Sequence, residues 1–119
     1  MRAKLKSIIV SDIDPESFWP EEEDNFGFYL QAIIGPDNEE GGDTFGFQIC
    51  SPKWLMEEYK KSDLIFGRHI IIALQYDFLA IEKKISDLCQ KSTGDSWPEI
   101  AKKLSRFGYW EFEDYRPAS

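Results

Sequence analysis

Between Phe26 and Ile34 the chain sets Phe26, Phe28, Leu30, Ala32 and Ile34 at every second position. Successive side chains of a strand point to opposite faces, so this spacing gathers five apolar groups on one side of a strand. Such a face has to be covered, and the chain must therefore build a sheet that packs against something else. Lys4 to Asp12 alternates in the same way, and Thr44 to Cys50 turns Phe45, Phe47 and Ile49 inward. Asp14 to Asn25 holds two prolines and six acidic residues, the composition of an exposed loop. Pro36 to Asp43, with Gly41-Gly42, closes the next turn, and the order strand, turn, strand predicts an antiparallel hairpin. Arg68 to Leu74 is a short run rich in Ile, assigned to a buried fourth strand.

The helical period enters later. Ser51 is placed to cap a helix with Pro52 at its first position, and Leu55, Met56 and Tyr59 supply its apolar edge. Trp54, near the start of this helix, is assigned to the core. Phe78, Ile81, Ile85, Leu88 and Cys89 recur at spacings of three and four behind Asp77, and Gly94 stops the pattern. Ser96 and Glu99 form a capping-box pair ahead of Ile100, Leu104 and Phe107, with Gly108 as the stop. Tyr109 to Tyr115 alternates aromatic and acidic residues as an edge strand would. The expected fold is α+β, an antiparallel sheet of four to five strands with about three helices, mainly on one face, in a single domain over residues 1–119.

Charge narrows the partner. The formal net charge of the 119 residues is −8, which argues against nucleic acid, because phosphates are held chiefly by Lys and Arg, and favours a basic partner. No run of about 18 apolar residues exists to span a membrane, and the first six residues lack the apolar stretch of a signal peptide, so a cytoplasmic protein is expected. Cys50 and Cys89 read as reduced, buried thiols.

Chemistry for catalysis is thin. A thiolate nucleophile needs a base, and His69 is the sole histidine, but nothing in the spacing brings Cys50 and His69 together. Two cysteines and one histidine lie too far apart for a zinc motif, and the acidic run Glu21-Glu22-Glu23-Asp24 lacks the alternation and glycine of a calcium loop. Gly41-Gly42 sits among acids that would repel a phosphate. We expect no catalytic residue, no metal and no cofactor.

Two features remain. Carboxylates crowd the segments read as loops, at Asp12, Asp14, Glu16, Glu21, Glu22, Glu23 and Asp24, and again at Asp37, Glu39, Glu40 and Asp43. Clustered acids can occupy a basic active site and steer association, although a merely solvated surface has the same composition. The tail supplies Trp110, Glu111, Glu113, Asp114 and Tyr115, aromatic bodies beside acids, which suits either an interface or an amphipathic strand with Trp110 and Phe112 in the core.

The chain also resembles a family along nearly its whole length. The resemblance is carried by Asp12-Ile13-Asp14, Asp24-Asn25-Phe26-Gly27-Phe28, Ile34-Gly35-Pro36 and Phe45-Gly46-Phe47-Gln48-Ile49-Cys50-Ser51-Pro52-Lys53-Trp54-Leu55. It continues through Gly67-Arg68-His69, Tyr76-Asp77, Trp97-Pro98-Glu99-Ile100-Ala101 and Leu104 to Tyr115. These segments resemble the immunity protein 8 family of bacterial polymorphic toxin systems. The resemblance implies a protein made beside a toxin, often the C-terminal domain of a contact-dependent growth inhibition or secreted effector protein, which it binds and inactivates. Many such toxins are nucleases with basic clefts, which matches the charge. The alternatives are a small adaptor domain, and an enzyme using Cys50 or paired carboxylates.

Overall fold

The computed structural model describes residues 1–62 and 64–114. In chain order it holds β1 (Ala3–Val10), β2 (Gly27–Pro36), β3 (Asp43–Cys50), α1 (Pro52–Glu58), β4 (Ile70–Ile72), α2 (Phe78–Lys91), α3 (Trp97–Leu104) and β5 (Tyr109–Trp110). The strands form one five-stranded sheet in the order β1-β2-β3-β4, with β5 also paired to β3. The fold is α+β.

The period-two pattern of β2 and β3 sets the core. Their antiparallel register places Phe28 opposite Ile49, Leu30 opposite Phe47 and Ala32 opposite Phe45. All six are buried, together with Ile81, Ile85 and Cys89 of α2 and Ile100, Ala101 and Leu104 of α3. Each large apolar side chain withdrawn from water here contributes about 1.5–3 kcal/mol before the entropy of ordering it is set against that gain.

β1 keeps in phase with this face through a bulge. Leu5 pairs with Ile34 and Ser7 with Ile33, so Lys6 is an extra residue. The consequence is a change of parity: Leu5 packs on the core before the bulge, and Ile8 and Val10 pack on it afterwards. Were Lys6 instead paired in a regular ladder, with no bulge, the outward Ser7 and Ile9 would point into the core.

The sheet is antiparallel except at one pair. β3 and β4 run parallel, Ile49 beside Ile71, because the chain between them returns through α1 before entering β4. β4 is confined to three residues, shorter than the expected Arg68–Leu74 run. The expected tail strand is also cut short. It pairs only at Tyr109 and Trp110, after which Glu113 N–H donates to the Trp110 carbonyl at 2.9 Å and closes a turn. Tyr115 lies outside the described residues.

Helix α1 departs from its expected role. None of its residues is buried, and Met56 is 74% exposed. Trp54 is half-buried, and a Cβ added at Gly27 would stand 2.2 Å from its ring. Gly27 is out of phase with Phe28, so Trp54 covers backbone on the face opposite α2 and α3 rather than entering the core. Phe107 likewise falls beyond the last turn of α3, which ends at Leu104, and is 52% exposed.

Candidate functional site

Consecutive antiparallel strands place their connections alternately at the two ends of a sheet. The loop from β1 to β2 therefore closes one end, and the turn from β2 to β3 closes the other. The ten residues of β2 separate them, roughly 30 Å at about 3.3 Å per residue. The two acidic clusters are consequently not joined. Asp12, Asp14, Glu16, Glu21, Glu22, Glu23 and Asp24 sit exposed at the first end, and Asp37, Glu39 and Glu40 sit exposed at the second.

The first end is held in shape by Tyr76, which precedes α2. Its hydroxyl donates to the Pro15 carbonyl at 3.2 Å and its N–H donates to the Glu23 carbonyl at 3.1 Å. The ring receives Phe18, Trp19, Phe26 and Phe28 edge-on, with centroids 5.2 to 6.2 Å away. Burial, then the nearby Asp14 carboxylate, pushes the Tyr76 hydroxyl above its usual pKa. Asp14 organises the turn that follows it, accepting from Glu16 N–H at 3.2 Å and from the Ser17 hydroxyl at 3.0 Å.

Lys53 of α1 is drawn to this end. It is ion-paired with Glu22 and lies 3.9 Å from Asp24, and the hydrogen bond to Glu22 raises its pKa. Among the described residues Asp12, Glu16, Glu21 and Glu23 have no ion pair. Between the loop and the start of α2 opens a groove of about 590 Å³, walled by Phe18, Trp19, Tyr76 and Leu79 and lined as well by Glu16, Glu23 and Asp77. Trp19 is 65% exposed there. The sequence assigns Trp19 no role and marks Tyr76 only within the family resemblance, although an aromatic pair, Phe18-Trp19, inside so acidic a loop is a visible signal.

At the second end and along the tail, several expected interface residues hold the fold itself. Asp43 accepts hydrogen bonds from the indole of Trp97 at 2.7 Å and from that of Trp110 at 3.0 Å. Trp110 stacks on Phe45 with the two planes 11° apart, so its body belongs to the core face. Glu111 pairs with Thr44 in both directions, through its own N–H at 3.0 Å and through its carboxylate at 3.2 Å. Glu113 takes both terminal nitrogens of Arg68 and lies 3.7 Å from His69. Asp114 is exposed.

The family model described as immunity protein 8 matches residues 3–115. The chain belongs to the immunity protein 8 family. Membership makes it an immunity protein directed against a toxin. No curated protein and no solved structure matches the chain.

The groups considered for catalysis lie apart in this immunity protein. Cys50 pairs with Ile72 at the end of β4, whereas His69 precedes the first residue of that strand and its carbonyl accepts from Gln48 N–H at 2.9 Å. His69 adopts φ 66°, and its Nε2 lies 3.1 Å from the Ser105 carbonyl, so the ring is tied to the end of α3. Cys50 and Cys89 are both free and buried, and burial raises each thiol, Cys89 to about 12, which disfavours the thiolate a nucleophile requires. Among the described residues no three His, Cys, Asp or Glu side chains are grouped to hold a metal ion, and no helix is long and apolar enough to cross a membrane.

Proposed function

We propose that this immunity protein inactivates a toxin domain by stoichiometric binding in the cytoplasm of the producing cell, and that it docks with the end of the sheet that carries Asp12 to Asp24. The observation that carries the reading is a loop whose backbone is fixed from beneath by Tyr76 while Asp12, Glu16, Glu21 and Glu23 stand exposed and, among the described residues, without ion pairs. A preorganised anionic surface with an exposed aromatic at its centre suits a partner whose active site is basic, as a nuclease's is. Asp37, Glu39 and Glu40 add to the long-range field from the far end. Asp43, Trp110, Glu111 and Glu113 support the fold beside it, with Asp114 exposed next to them.

The direct test is co-expression. Cells making the C-terminal toxin domain encoded immediately upstream of this gene are expected to grow when this protein is made with it and to arrest when it is absent. Arrest in both cases, with both proteins soluble, overturns the reading for that toxin.

A further inference from the structure

We infer that the groove between the acidic loop and the start of α2 seats one arginine side chain of the toxin, with Trp19 as the stacking face and Glu16, Glu23 and Asp77 as its carboxylate partners. The inference rests on the toxin-binding reading above and names the contact that anchors it.

Shape and charge point to the same occupant. The walls are Phe18, Trp19, Tyr76 and Leu79, with Leu79 as well as Trp19 mostly exposed to water. An apolar side chain would fill such walls, but it would also withdraw three carboxylates from water with nothing to neutralise them, which is costly. Among the described residues none of the three has an ion pair. Asp77 uses Oδ1 to accept from Ala80 N–H at 3.1 Å as the cap of α2 and retains its other oxygen. Lys53, drawn to this end of the sheet, is taken by Glu22 and Asp24. A guanidinium satisfies both demands, because its plane stacks on an indole while its edge donates two parallel hydrogen bonds to a carboxylate.

The groove is also prepared in advance. Tyr76 fixes Pro15 and Glu23 by hydrogen bonds on either side of Trp19, so little ordering cost remains when a partner side chain enters. An anchored side chain of this kind governs how slowly a complex comes apart, whereas distant charges govern how fast it forms.

The test is the kinetics of the full chain against the toxin domain encoded immediately upstream, for the wild type, for Trp19→Ala, for Glu16→Gln with Glu23→Gln, and for the charge-matched control Glu39→Gln with Glu40→Gln at the opposite end of the sheet. Circular dichroism checks that each variant is folded, which exposed positions favour. Both groove variants are expected to dissociate at least about tenfold faster, and the control to change by less than about twofold. Wild-type dissociation rates in the groove variants would overturn the arginine seat while leaving the immunity reading in place. Equal losses in the groove variants and the control would also overturn it, in favour of a diffuse field. No binding by the wild type would overturn both.

Discussion

Asp43 shows how far a single residue's role can lie from its composition. In the sequence it is one more acid beside Gly41-Gly42. In the fold its carboxylate is the shared acceptor of two indoles, from residues 54 and 67 positions away, and it ties β3 to α3 and to β5 at once. Hydrogen bonds to a charged acceptor contribute more than neutral ones, and losing the acceptor strands both partly buried donors. Asp43→Ala is therefore expected to lower stability by about 2–3 kcal/mol, read as a fall in the urea midpoint at unchanged slope, with Asp43→Asn losing less because it keeps one acceptor oxygen. Nothing local in the sequence could reveal this, since both donors arrive only through tertiary contact. Glu113 is similar: its tie to Arg68 spans 45 positions, which the aromatic and acidic alternation of the tail does not encode.

Among the elements, those governed by periodicity were legible and those governed by a neighbour were not. The alternation in β2 and β3 and the three-four spacing in α2 each report which face is buried, and those faces meet in the core. The caps were legible too: Asp77 and Ser96 accept from Ala80 and Glu99 N–H as their spacing predicts. α1 misleads because its apolar residues suggest a buried edge, while its position is set by Ser51. That hydroxyl is fully buried, accepts from Phe26 N–H at 3.1 Å and Trp54 N–H at 3.3 Å, and lies 3.3 Å from the Phe26 carbonyl. It thus joins the start of β2 to the end of β3 and caps α1. Ser51→Ala is expected to cost about 2–3 kcal/mol by chemical denaturation, more than an exposed cap would, because Phe26 N–H is left unpaired in a site closed to water. A cost below about 0.5 kcal/mol would mean that α1 is held by its surface contacts instead.

At the scale of the molecule, the charge of −8 is arranged rather than spread. Its two acidic clusters occupy opposite ends of the sheet, a separation that follows from two consecutive hairpin connections and was in principle readable once the strands were assigned. What the sequence could not show is which acids are already committed: Lys53 occupies Glu22, and Arg68 occupies Glu113. Glu16, Glu23 and Asp77, without an ion pair among the described residues, line the groove with Trp19, whose loop is braced by Tyr76. The measurement that tests the central claim most directly is calorimetric titration of this protein with the toxin domain encoded immediately upstream, at low and at physiological salt, beside the variant Glu21→Gln, Glu22→Gln, Glu23→Gln. The account predicts tight one-to-one binding that weakens with salt, and in the variant a weaker complex with a shallower salt dependence. Affinity and salt dependence unchanged by the triple substitution would contradict the docking of the toxin at this end of the sheet.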